Sequence, residues 1–208
     1  MSPPRGRLVA LEGIDGCGKS TQARLLADRL GAVSTFEPGA TPLGSSLRTL
    51  LLAPDGDPVA PRAEALLMAA DRAQHVTAVI TPALEAGRWV VTDRYAPSTI
   101  AYQGYGRGLD RSALEDLVGW ATGGLRPDLT VLFDLPVEVA ASRRLGGGDD
   151  RMEAEGLAFL RRVADGYLEL AGERRDPWLV VDATAPVEDV AATVWDAIEV
   201  LAGPGGPP

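Results

Sequence analysis

The chain has 208 residues, of which 46% are apolar and 24% charged, and a formal net charge of −9. That length suits one domain with a sizeable core, the composition is globular rather than disordered, and no apolar run approaches the roughly 18 residues that cross a bilayer. The acidic balance argues against a nucleic-acid partner, which calls for a basic face, while one cysteine excludes an internal disulfide framework or a Cys-cluster metal site.

Met1–Arg7 lacks the apolar core of a secretory signal, so the cytoplasm is the expected compartment. Arg7–Glu12 reads as the first buried strand, a short and nearly continuous apolar run. Ala23, Leu26 and Leu30 then share a helical face that Gly31 can end. Val33–Phe36 is the second strand, and Pro61–Gln74, rich in Ala and Leu, the next helix. Trp89–Thr92 is the third strand. Leu114, Leu117, Val118 and Ala121 recur at helical spacing before the fourth strand, Leu129–Leu135. Leu160, Val163, Ala164 and Tyr167 mark another helix, and Trp178–Asp182 the last strand. Pro186 opens a final helix with Val187, Val190, Val194, Ile198 and Leu201 inward, and Gly203–Pro208 reads as a frayed tail. Strands alternating with helices predict an α/β fold around a parallel sheet, with residues 1–208 as a single domain.

The strongest chemical signal is Gly13-Ile14-Asp15-Gly16-Cys17-Gly18-Lys19-Ser20, a G-x-x-x-x-G-K-S motif followed by Thr21. It leaves a predicted strand and opens a predicted helix, which is the context a phosphate-binding loop requires. Its glycines let backbone N–H groups turn toward phosphate oxygens, and the helix N-terminus adds partial positive charge. Lys19 is the only lysine among 20 basic residues, so the compact ammonium falls where a planar guanidinium would not serve. Lys19 would reach the β- and γ-phosphates of ATP and Ser20 would bind Mg²⁺. Cys17 reads as a small loop residue rather than a reactive thiol.

With no lysine left for an N-K-x-D motif, the GTPases are excluded, and motor ATPases run larger. A small-molecule kinase remains, with a P-loop kinase fold of three layers and a five-stranded parallel sheet flanked by helices. Asp93 and Arg94 end the third strand, where open α/β sheets bind ligands. Asp93 would hold Mg²⁺ through water, and Arg94 would clamp a phosphate by two parallel hydrogen bonds. Asp134, ending the fourth strand, is a competing carboxylate. His75, on the helix of Arg72, reads as a packing or dimer-surface histidine rather than a general base. Ser142–Arg151, with Gly146, Gly147 and Gly148 between arginines, reads as a closing lid.

Gly13–Ser20, Phe36-Glu37-Pro38-Gly39, Asp71-Arg72, Asp93-Arg94-Tyr95-x-x-Ser98, Ala101-Tyr102-Gln103-Gly104 and Asp150-Arg151-Met152-Glu153 occur in this order. Together they resemble the thymidylate kinase family from residue 8 to about 200, with Asp-Arg-Tyr and Ala-Tyr-Gln-Gly the most discriminating. The resemblance implies phosphoryl transfer from ATP to dTMP, with Mg²⁺, in a homodimer. It implies that Arg72 and Arg94 bind the dTMP phosphate and that Glu37 and Pro38 shape that pocket. Thr99, Tyr102 and Gln103 would meet base and sugar, Gln103 reading the pyrimidine edge and Tyr102 disfavouring a 2′-OH. Asp15 would meet the sugar 3′-OH or the metal. Arg143 would stack on adenine, Ala183 would help cradle it, and Arg144 or Arg151 would stabilise the transferring phosphoryl. Phe36 stands where the family has arginine, Met68 where it has an aromatic ring, and the lid is poorer in arginine than in some relatives. The competing expectations are another deoxynucleoside or nucleoside monophosphate kinase, or a non-enzymatic ATP switch, which would need no acceptor clamp.

Overall fold

The computed structural model describes residues 5–53, 58–143, 155–173 and 176–204. Its centre is a sheet of five parallel strands, β1 (Leu8–Glu12), β2 (Val33–Phe36), β3 (Val90–Asp93), β4 (Leu129–Asp134) and β5 (Trp178–Asp182), in the order β2-β3-β1-β4-β5. β2 and β5 have the expected bounds. Arg7 falls outside β1, although its carbonyl still accepts from the Val90 N–H at 2.8 Å. β3 starts at Val90 rather than Trp89 and includes Asp93, and β4 stops at Asp134 rather than Leu135.

β1 is buried along its whole length because helices cover both faces of the sheet. Val9 and Leu11 face one way, packing with Ala23, Leu26 and Leu30 of α1 (Lys19–Leu30) and with Leu160, Val163, Val194 and Ile198. Leu8 and Ala10 face the other way, toward Val76, Ile80 and Leu84. The alternation is the two-residue period of a strand.

Between β2 and β3 lie α2 (Pro42–Leu52) and α3 (Pro61–His75). The sequence reading left α2 out, yet its start is signalled: Thr41 accepts from the Gly44 N–H at 3.0 Å and Pro42 sits in the first turn. α3 reaches His75 rather than ending at Gln74, and continues through a π turn, Val76–Ile80, into α4 (Thr81–Glu85). Pro82, which has no N–H to give, follows directly after that widened turn. After β3, α5 (Ala96–Thr99) runs into a second π segment, Ile100–Gly106. α6 (Arg111–Thr122), capped by Asp110, precedes β4. α7 (Val137–Arg143) and α8 (Leu157–Gly172) lie between β4 and β5, and α9 (Val187–Ala202) closes the chain. Pro186 is the cap of α9 rather than its first residue, and Val187 is 45% exposed instead of inward. Among the described residues no helix is long and apolar enough to cross a membrane.

Candidate active site

The phosphate-binding loop leaves β1 and turns into α1. Gly13 has φ 140°, and a Cβ there would stand 2.7 Å from the Phe133 carbonyl oxygen, so both the conformation and the space demand glycine. The buried Lys19 donates through Nζ to the Ile14 carbonyl at 2.9 Å, with Cys17 Sγ 3.5 Å away. Cys17 is buried in the core that includes Ile14.

Ser20 Oγ donates to Asp93 Oδ2 at 2.5 Å, which joins the first residues of α1 to the carboxyl end of β3. Asp134 is not part of this arrangement: it pairs in register with Asp182 at the ends of β4 and β5. Burial and then the neighbouring Asp182 push its carboxyl pKa up. No cluster of three or more His, Cys, Asp or Glu able to hold a metal occurs among the described residues. Ser20 and Asp93 together offer a divalent cation one hydroxyl and one carboxylate, beside a loop fitted for phosphate. Hard oxygen donors, few of them from protein, suit Mg²⁺.

Arg94 follows Asp93 and is the hub of the site. Its φ of 71° is the left-handed region, rare for a residue with a side chain. That turn aims the guanidinium back across the sheet end. Nη2 donates to Asp15 Oδ1 at 2.6 Å and to the Tyr102 hydroxyl at 2.9 Å. Nη1 donates to the Gly13 carbonyl (3.2 Å), Ser98 Oγ (3.1 Å) and the Tyr167 hydroxyl (3.2 Å). Asp15 also accepts from Tyr102 at 2.9 Å. Burial opposes ionisation of Asp15, but the charges of Arg94 and Lys19 outweigh it and hold its carboxyl below the usual range. Behind the hub, the fully buried Glu12 accepts from the Tyr95 N–H, Ser98 and Tyr167 at 2.8, 2.6 and 2.9 Å. Burial is the largest influence on Glu12 and pushes its pKa up.

Two clefts open at this end of the sheet. One, of about 1380 Å³, runs along the phosphate-binding loop past Gly16, Gly18, Lys19, Ser20, Thr21, Asp93 and Arg143. The other, of about 600 Å³, is lined by Pro38, Met68, Arg72, Ser98, Thr99, Tyr102 and Gln103, among others. Asp15, Glu37, Arg48 and Arg94 line both, so they mark where the clefts meet.

The inner cleft is built from α3, α5 with its π segment, and the end of β2. Arg72 donates to Glu37 Oε2 (2.8 Å), Thr99 Oγ1 (2.7 Å) and the Tyr95 carbonyl (2.9 Å), which uses three of its five N–H donors. Glu37 Oε1 accepts a hydrogen bond from His75 Nδ1 at 2.9 Å, and Nε2 lies 2.7 Å from Thr35 Oγ1. His75 is therefore a fully buried brace between α3 and β2 and is not on the surface where a dimer could use it. Met68 lies one turn before Arg72 and opens onto the same cleft.

Most of the residues singled out from the sequence thus converge. Arg143 ends α7 and donates to the Ala183 carbonyl at 2.9 Å, joining two segments assigned to one nucleotide from the resemblance. Residues 144–151 of the lid, with Arg144 and Arg151, lie outside the described residues, as do residues 205–208 of the tail. The sequence reading missed Arg48, which projects from the unanticipated α2, donates to the Pro38 carbonyl at 2.9 Å and lies 5.9 Å over the Phe36 ring. It also missed Glu12, Asp71, Glu64 and Tyr167. Of these, Asp71 sits in the Asp-Arg pair already quoted, and accepts from the Gly39 N–H at 3.0 Å.

A phosphate-binding loop alone would define an NTPase of any kind. A second cleft that meets it at two arginines and two carboxylates leaves room for an acceptor, and this places the chain among the P-loop small-molecule kinases. The thymidylate kinase family model matches residues 11–194. The chain belongs to the thymidylate kinase family. A thymidylate kinase of Synechococcus sp. (strain CC9902) is 54% identical over 197 residues, covering 89% of this chain and 93% of that protein. One from Synechococcus sp. (strain CC9311) is 51% identical over 205 residues, covering 93% and 95%. The crystal structure of thymidylate kinase from Ehrlichia chaffeensis superposes with a TM-score of 0.76 at 31% identity, covering 93% of this chain and 99% of that one.

Proposed function

We propose that this chain transfers the γ-phosphoryl group of ATP to dTMP, giving ADP and dTDP. The observation that carries the reading is the pair of clefts meeting at Asp15, Glu37, Arg48 and Arg94, within a chain of this family. A switch protein would need only the first cleft.

In this reading ATP lies along the phosphate-binding loop, with backbone N–H groups and Lys19 on its β- and γ-phosphates. Arg143 stacks on the adenine beside Ala183. Ser20, and Asp93 through water, would hold Mg²⁺, which would supply positive charge to the phosphate oxygens. dTMP occupies the inner cleft. Arg94 and the remaining N–H groups of Arg72 take its phosphate, with Glu37 and Pro38 behind them. Met68 lies on the face of thymine, Thr99 and Gln103 meet the base, and Gln103 reads the pyrimidine edge. Tyr102, pinned by Asp15 and Arg94, presses where a 2′-OH would sit, and Asp15 meets the sugar 3′-OH. Arg144 or Arg151 would close over the transferring phosphoryl. Catalysis is then positioning plus preorganised charge, with little for a general base to do.

Coupled ADP release across a panel of nucleoside monophosphates tests this. kcat/KM should be highest for dTMP, and Lys19→Ala should lose turnover by orders of magnitude while its circular dichroism is unchanged. Absence of dTMP-dependent ADP release, or equal use of ribonucleotides, would overturn the reading.

We further propose a homodimer formed through α2 and α3. Leu43, Leu47 and Leu50 recur at helical spacing on α2, α2 packs against α3, and Leu43, Leu50 and Leu66 of α3 are 50%, 61% and 59% exposed. Sedimentation should give a dimer for the parent and a monomer for Leu50→Glu; a monomeric parent would refute it.

A further inference from the structure

Gln103 is buried, and its amide Nε2 donates to Glu64 Oε1 at 2.8 Å. Glu64 is itself fully buried on α3 and lines neither cleft. Arg107 grips it from the other side, with Nε 3.2 Å from Oε1 and Nη2 3.0 Å from Oε2. This forked ion pair makes Glu64 a carboxylate that only accepts hydrogen bonds. We propose that Glu64 is the positioning residue that sets base specificity: it fixes the Gln103 amide in the one orientation that reads thymine and rejects cytosine. The inference rests on the placement of the pyrimidine edge against Gln103 proposed above.

The chemistry follows from the two-sided character of an amide. Thymine offers a donor at N3–H and an acceptor at O4. Cytosine offers an acceptor at N3 and a donor at its 4-amino group. A glutamine side chain that can turn over by 180° matches either base, because turning exchanges Oε1 and Nε2. Against Glu64 it cannot turn freely. The flipped amide would bring Oε1 to within hydrogen-bond distance of a carboxylate oxygen, setting two acceptors face to face in a buried site where neither finds water. For Oε1 to stay free for the base, the Nε2 proton given to Glu64 is the one trans to Oε1. The opposite edge, with Oε1 and the second proton, is left for the base, in the order thymine requires. Uracil presents the same edge as thymine, so Glu64 should not distinguish dTMP from dUMP.

The test is kcat/KM for dTMP, dUMP and dCMP in the parent, Glu64→Gln and Gln103→Leu. A glutamine at 64 both donates and accepts, so it tolerates either orientation of Gln103. The dTMP-to-dCMP ratio should narrow by at least about tenfold in Glu64→Gln, while the dTMP-to-dUMP ratio stays as in the parent. A parallel fall for all three nucleotides, or an unchanged dTMP-to-dCMP ratio, would make Glu64 structural only and overturn the proposal. Gln103→Leu separates the two layers of the argument. If it leaves the dTMP-to-dCMP ratio intact, the base is read elsewhere and the placement itself fails. If it collapses the ratio and Glu64→Gln does not, only the role of Glu64 fails. A measurement on the parent protein covers the case in which Glu64→Gln does not fold. In ¹⁵N-labelled protein without nucleotide, the Gln103 side-chain amide protons, assigned by their loss in Gln103→Leu, should exchange slowly with solvent. Free exchange and rotational averaging there would refute a locked amide.

Discussion

Replacing Arg94 by Ala and by Gly separates its backbone from its side chain. At φ 71° a residue with a Cβ carries about 1–2 kcal/mol of strain that glycine does not. Glycine in turn costs about 0.5–1 kcal/mol more to order on folding. The balance favours Gly over Ala by roughly 0.5–1 kcal/mol, and for a chain of 208 residues a kilocalorie moves the melting temperature by about 2–4 °C. Arg94→Gly should therefore melt about 1–4 °C above Arg94→Ala, with both below the parent because each loses the five hydrogen bonds from Nη1 and Nη2. The ligand effect should be common to the two. A charge-assisted clamp on a phosphate is worth about 1.5–3 kcal/mol, or about ten- to over a hundredfold in dTMP affinity. Scanning calorimetry and titration calorimetry give both quantities. An Ala variant as stable as the Gly variant would remove the argument from strain. Equal weakening of ATP and dTMP would show that the guanidinium serves the junction of the clefts and not the acceptor.

Met68→Phe should preserve or improve dTMP affinity, because a ring stacked on a base is worth about 1–3 kcal/mol and the thioether already captures part of that. Met68→Ala should weaken dTMP and spare ATP; a large drop in melting temperature with intact dTMP affinity would make Met68 packing alone. Asp15 titrates below the usual range because Arg94 and Lys19 outweigh its burial. A folded-state pKa lowered from an unfolded value of about 3.9 contributes stability that is complete above that value and lost as pH falls through the folded one. Asp15→Asn should accordingly be less stable than the parent at pH 7, with the gap closing below about pH 4. Thermal melts showing a gap that holds constant down to pH 3 would refute the sign.

What was legible in the sequence divides by range. The central strands β1, β3 and β4 could be read because they are covered on both faces and so are apolar almost without interruption, as β1 is from Leu8 to Glu12. The phosphate-binding loop could be read because its glycines answer a purely local demand, as at Gly13. Asp93 could be preferred to Asp134 because Arg94 stands next to it, and the contact from Ser20 to Asp93 gives that preference a geometry. Met68 and Gln103 came from family resemblance, since nothing local to either residue names a base. α2 was missed although Thr41 and Pro42 mark its start, because Gly44, Ser45 and Ser46 follow at once and read as loop.

The buried partners of Arg72 and Gln103 were out of reach for a different reason. Glu37 and Arg72 are 35 positions apart, and Glu64 and Gln103 are 39 apart. Each pair meets only after the chain has passed through another element, so no periodicity or spacing records it. These contacts nonetheless do two jobs. They satisfy groups that could not be buried alone, and they fix which face of Arg72 and of Gln103 reaches the cleft. A glutamine and an arginine are adaptable side chains when free, and adaptable side chains discriminate poorly. Held by Glu64 and by Glu37, Thr99 and the Tyr95 carbonyl, the same two side chains present a fixed pattern of donors and acceptors. On the proposed placement of dTMP, the side chains lining the cleft would supply the chemistry of recognition and the buried carboxylates behind them its selectivity, which is why a reading confined to motifs finds the candidate site before it finds a reason for its preference.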